Sequence, residues 1–126
     1  METTDLTFKL LSNSALIVVT VIMGFILHKT GSPYNNLLFN VHKLLTVGFV
    51  ILIVKKVISH LKFNDLDLLF LILITSSAIA LITLMASGGF MSLNKHHKLM
   101  LTIHQVSTVI FLGCTTGIFY IIYIKH

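Results

Sequence analysis

Four long apolar runs, separated by short polar breaks, make up most of this chain. The first extends from about Leu10 to Leu27 and the second from about Leu37 to Ile58. The third covers about Leu66 to Ser87, and the fourth about Leu99 to Ile124. A helix needs roughly 20 apolar residues to cross the hydrocarbon core of a bilayer. The breaks carry turn chemistry: Lys29-Thr30-Gly31-Ser32-Pro33, then Ser59 to Asp67, then Ser87 to Lys98 with Gly88-Gly89. Connections this short join antiparallel neighbours. The pattern predicts an all-α membrane protein: a four-helix transmembrane bundle built from two tandem helical hairpins, in one domain. An even number of spans puts both termini on one side.

The two hairpins repeat each other, over about 10–60 and 66–124. Ser14-Ala15-x4-Thr20 matches Ser77-Ala78-x4-Thr83. Leu37-x4-His42-x3-Thr46-Val47-x-Phe49 matches Leu99-x4-His104-x3-Thr108-Val109-x-Phe111. Apolar low complexity produces chance identities, but the shared His-x3-Thr-Val-x-Phe is harder to obtain that way. A tandem pair of two-span units can be related by an axis along the membrane normal. Such an axis sets His42 and His104 at one depth, facing each other.

Composition agrees with the spans. The 126 residues are 56% hydrophobic and 10% charged, against about 25% charged in soluble domains. Every one of the nine positive charges is a lysine, placed near segment ends where it can snorkel to the interface. The net charge of +5 is therefore no nucleic-acid footprint. The single cysteine, Cys114, excludes an intrachain disulfide and a CxxC redox pair. Tyr34, Tyr120 and Tyr123 are candidate interfacial belt residues. The opening METTDLTFK has the wrong charge for a signal peptide, so the first run is expected to be a retained helix. Lys9, Lys55, Lys56, Lys62 and Lys125 lie on the terminus side; Lys29, Lys43, Lys95 and Lys98 lie opposite. The positive-inside rule then sets the termini in the cytoplasm.

Histidines are the candidate chemistry. His28, His42, His96, His97 and His104 gather on the side opposite the termini, with His60 and His126 near the terminus side. Ionisable residues inside a membrane are costly and mark function by default. His42 and His104 lie about 8–11 Å inside their helices at 1.5 Å per residue. A repeat-related pair at one depth suits the axial ligation of one haem b iron. The plainer reading is a polar pair that joins helices. Thr46 and Thr108, one turn further on, either border the macrocycle or hydrogen-bond a backbone carbonyl. His28, His96 and His97 read first as solvated interface residues. Their functional alternatives are contacts to haem propionates, a quinone-site proton donor or a surface metal site. Lys43 and Lys98 either snorkel or pair with propionates. Gly113-x3-Gly117 has helix-packing spacing and stands about 180° from His104. It suggests a homo- or hetero-oligomer contact, the alternative being packing within the same bundle.

With these residues in view, the chain resembles the four-helix membrane b-type cytochromes. These are the bacterial cytochrome b-561 family and the haem-carrying membrane subunits of formate dehydrogenases and hydrogenases. The second span, His42-Lys43-Leu44-Leu45-Thr46-Val47-Gly48 followed by Lys55-Lys56, is similar to the family's second helix. Leu84-Met85-Ala86-Ser87-Gly88-Gly89 is similar to the end of its third helix and the small-residue loop after it. The resemblance implies haem ligation by His42 and His104, with Thr46, Thr108, Lys43 and His97 as surroundings. It also departs from the family, which normally holds two haems through further histidines. The position fourteen after His42 is Lys56, and fourteen after His104 is Ile118. A second haem would need His60 or His126, at or beyond the helix ends, so one haem is expected.

The expected function is electron transfer in a prokaryotic cytoplasmic membrane, between a quinone pool or redox partner subunits and an acceptor. Two other classes compete. A cofactor-free scaffold or assembly subunit predicts that histidine substitutions matter little. A small four-span transporter normally needs an intramembrane carboxylate, and no Asp or Glu occurs between Asp5 and Asp65 or after Asp67.

Overall fold

Apolar length sets the architecture. The computed structural model describes residues 2–31, 33–94 and 96–125. They form α1 (Glu2–Thr30), α2 (Asn36–Leu61), α3 (Leu68–Ser92) and α4 (His97–Tyr120), followed by a π-helical turn at Ile121–Lys125. Ser32, Lys95 and His126 lie outside the described residues, as do the side chains of Lys9, Leu10 and Lys125. Four segments are long and apolar enough to cross a membrane: Leu11–Thr30, Asn36–Leu61, Leu68–Ser92 and His97–Ile124. The chain is an all-α membrane protein, with no strand among the described residues. Glu2, Asp5, Asp65 and Asp67 all fall outside the four spans. Leu44, Ile82, Met85 and Val109 are exposed, an arrangement that suits lipid rather than water.

Helix ends follow local chemistry. Gly31 takes a left-handed φ of 71° and its amide donates to the Leu27 carbonyl at 3.3 Å, closing α1. Asn35 opens α2, its Oδ1 accepting from the amides of Leu37 (2.9 Å) and Leu38 (3.3 Å). The third helix departs from expectation. Gly88-Gly89 does not form the turn; α3 runs on to Ser92, and the turn falls at Leu93 and Asn94, with Asn94 at φ 54°. A glycine costs about 1 kcal/mol in a helix interior. Packing outweighs that propensity here, because Gly88 is the surface on which His104 rests.

Two compact units divide inside α2, between Ile53 and Val54. In the first, α1 and α2 meet where the His42 ring lies on Gly24. Asn13, Leu27, Phe49 and Ile53 are buried there. The second unit comprises the last two turns of α2, then α3, α4 and the π-helical turn. Its core is Phe70, Ile118 and Ile121, with Val57, Leu73, Ile74 and Ile122 packed against it. Small polar residues of α3 and α4 are buried: Ser77, Ser87, Ser107 and Thr115, the last with 0% exposure. Small side chains let two backbones approach closely in a membrane. Two of these hydroxyls are satisfied within their own helices: Ser77 donates to the Ile74 carbonyl (2.9 Å) and Thr115 to that of Phe111 (2.8 Å). Gly117 belongs to the contact between α3 and α4. A Cβ there would lie 3.1 Å from Leu73 Cδ1, so Gly117 packs inside its own hairpin, the alternative that the glycine spacing left open. Gly113 opens to free space.

Candidate functional site

Each of the two central histidines is positioned by the same local device. Apolar neighbours force residues 36–61 and 97–120 into helices, and the ring leans on a glycine of the preceding helix. A Cβ on Gly24 would stand 3.2 Å from His42 Cε1 and 3.8 Å from both ring nitrogens. A Cβ on Gly88 would stand 3.5 Å from His104 Cε1 and 3.8 Å from its Nδ1. His42 thus meets its glycine head-on, whereas His104 is turned so that its Nδ1 edge faces α3. Thr46 donates its hydroxyl to the His42 carbonyl, and Thr108 to the His104 carbonyl, both at 2.8 Å. Of the two roles open to these threonines in the sequence, the structure shows the backbone one. Thr20 and Thr83, also repeat-related, donate likewise to the carbonyls of Leu16 (2.7 Å) and Ile79 (2.9 Å). The same bond to the carbonyl four residues back is made by Thr75, Thr102, Thr115 and Thr116, so it is the habit of helical threonines here.

The polar surroundings of the two rings differ. Ser87 Oγ lies 3.0 Å from His104 Nδ1, between α3 and α4. His42 Nδ1 is enclosed and has no hydrogen-bond partner. The backbone of Thr20, one turn before Gly24, is close enough to act on the His42 ring but makes no bond to Nδ1. Leaving a buried imidazole nitrogen unpaired costs about 1–3 kcal/mol, and such an atom calls for an explanation.

The flanking residues separate into interface and core. Lys43 Nζ stands 4.1 Å above the Phe39 ring, and Lys29 Nζ stands 5.3 Å from that of Phe25. Both are pairs one helical turn apart, as expected of lysines held near an interface. His28 and His96 are exposed, and His97, the first residue of α4, is half-buried. His96 adopts a left-handed φ of 47° and its carbonyl accepts the Met100 amide at 3.0 Å, so its visible role is to start α4. No group of three or more His, Cys, Asp or Glu able to hold a metal ion occurs among the described residues. His60 lies in the last turn of α2, at the helix margin as expected, and is nonetheless buried. It is 8% exposed, with its ring 4.8 Å from that of Phe70 and its Nδ1 3.4 Å from Asn64 Nδ2.

Sequence reasoning found both histidines but missed Gly24, Ser87 and Gly88. The repeat itself hides them. Its offset in the odd helices, Ser14 to Ser77, sets Gly24 opposite Ser87 rather than opposite Gly88. A small residue facing an intramembrane histidine was the available signal. Compared with protein-family models, curated proteins and solved structures, the chain matches none.

Proposed function

We propose that this chain is a membrane-embedded b-type cytochrome that carries electrons through one haem ligated by His42 and His104. The observation that carries this reading is the similar seating of the two repeat-related rings. Each leans on a glycine, Gly24 or Gly88, and each carbonyl is tied by a threonine one turn on. Two further features fit. The glycines provide room that any other residue's Cβ would fill, and His42 keeps a buried nitrogen without a partner. A bound haem supplies one-electron chemistry at its iron. The chain's own part is to fix the imidazoles and exclude water: Thr46 and Thr108 stiffen the turns that carry the ligands, and the apolar spans keep the surroundings dry. Lys43 and His97, at the interface end of the same helices, would be the groups to meet propionates. The proposal includes a quinone or redox partner subunit as electron donor or acceptor. It sets the protein in a prokaryotic cytoplasmic membrane, with the lysine-richer terminus side in the cytoplasm.

One observation favours the scaffold reading: His104 already has a polar partner in α3, as an interhelical joint would. The transporter reading lacks an acid in any span. A dithionite-reduced minus oxidised absorption spectrum of the detergent-purified chain separates these. A sharp α band lost in both His42→Ala and His104→Ala is the expected result. Absence of haem after expression with ample haem supply sinks the proposal and leaves the scaffold.

A further inference from the structure

The two histidines are equivalent in the repeat but not in chemistry, and the difference is one hydroxyl. Ser87 occupies the repeat position that Gly24 holds in the first hairpin. Its Oγ has three neighbours: the Thr83 carbonyl at 2.7 Å, the Leu84 carbonyl at 3.2 Å and His104 Nδ1 at 3.0 Å. A serine hydroxyl has one proton to give and two lone pairs to receive with. A carbonyl oxygen can only accept, so an oxygen–oxygen approach of 2.7 Å requires the Ser87 proton to lie between Oγ and Thr83 O. That leaves Oγ as an acceptor toward the ring, and Nδ1 must carry a proton to meet it. A neutral imidazole has one N–H, so Nε2 then holds the lone pair. Orientation agrees: the Nδ1–Cε1 edge faces Gly88, which turns Nε2 away from α3.

We infer that Ser87 is a positioning residue that locks His104 as the Nδ1–H tautomer and presents Nε2 as its ligating nitrogen. No side-chain hydroxyl acts likewise on His42: Gly24 has none to offer and His42 Nδ1 has no partner, although the Thr20 backbone lies close to the ring. The tautomer of one ring is therefore preset by a side chain before any metal arrives, and that of the other is not. A hydrogen bond from the far nitrogen fixes the ring and raises its basicity as a ligand, and loss of such a partner typically costs 10–100-fold in metal affinity. The lock stands on the haem-free geometry; only what Nε2 binds rests on the cytochrome proposal.

The test uses the full chain, labelled with ¹⁵N-histidine and prepared without haem in detergent micelles. Long-range proton–nitrogen correlations read which ring nitrogen carries hydrogen, and His104→Gln assigns the signals. The expected result is Nδ1–H at His104 in the parent, a mixture of tautomers in Ser87→Ala, and recovery of Nδ1–H in Ser87→Thr, which keeps the hydroxyl. Nε2–H in the parent, or no change in Ser87→Ala, overturns the inference. In haem-loaded protein, Ser87→Ala should lose about 10–100-fold in haem affinity and show a raised midpoint potential. The less basic ligand favours ferric iron less. An unchanged potential with haem present overturns Ser87's role toward the ligand. Failure to bind haem at all sinks the cytochrome reading alone, since the tautomer assignment is made without haem.

Discussion

Replacing each histidine-facing glycine by alanine should give different results in the two hairpins. Alanine in a helix interior is favoured over glycine by about 0.5–1 kcal/mol. At Gly88 the new Cβ meets His104 Cε1 at 3.5 Å, an ordinary van der Waals contact, so the gain survives. At Gly24 it meets His42 Cε1 at 3.2 Å, closer than carbon atoms settle, so ring or helix must move by a few tenths of an ångström. Overpacking of this kind costs about 1–3 kcal/mol, which cancels or exceeds the gain. Two internal references isolate the backbone contribution: Gly89 in α3 and Gly48 in α2 have nothing within 4 Å of a built Cβ. Far-UV circular dichroism during SDS titration of the purified protein in mixed micelles measures the stabilities. Gly48→Ala, Gly89→Ala and Gly88→Ala should move together toward higher stability, with Gly24→Ala lower by about 1 kcal/mol or more. A Gly24→Ala protein that gains as much as Gly48→Ala would refute the claim that the His42 ring is seated against α1.

Three further outcomes follow from the packing. Phe70→Ala empties the centre of the Phe70–Ile118–Ile121 cluster and should cost about 3–5 kcal/mol in the same titration, with the His60 ring losing the face it leans on. Thr115→Val keeps the shape of a side chain with no exposure and removes a hydroxyl that bonds only to carbonyls of its own helix. It should change stability by less than about 1 kcal/mol, whereas Thr115→Leu should separate α3 from α4 and cost about 1–3 kcal/mol. Tyr34, in the connection between α1 and α2, is held above its ordinary phenol pKa by burial. Its neutral form is favoured by the fold, so its contribution is complete below about pH 10 and is lost as pH rises through the raised value. Thermal melts should show that alkaline loss in the parent and less of it in Tyr34→Phe.

The spans were legible because twenty consecutive apolar residues have few alternatives to a membrane helix. Their ends were less so, and Gly88-Gly89 shows why. As a dipeptide it signals a turn, yet the histidine opposite it needs a bare backbone there, and that requirement is tertiary. The histidine pair was legible because the repeat duplicated it with four neighbours. Ser87 was not, since its meaning lies in replacing Gly24 at the matching position, a difference rather than a likeness. Spacing marked Gly113 and Gly117 as a pair, but only the contact with Leu73 decides that Gly117 is covered. His60 looked marginal because it precedes a polar stretch, and its burial comes from Phe70, ten residues later on the next helix.

The end of α2 has a consequence for how separable the two halves are. Internal homology places the joint in the polar stretch after Ser59, where a gene could be cut into two two-span products. Packing places it earlier, between Ile53 and Val54. Val57 lies on the Phe70–Ile118 cluster, His60 on Phe70, and Lys56 Nζ 5.3 Å from the Tyr123 ring. A C-terminal half expressed alone from the polar stretch onward would lack that lid and bare one side of its core to lipid. A split that keeps residues from Val54 onward with the second half would preserve it. The repeat in the sequence is a helical pair, but the compact second unit begins two turns earlier, inside α2.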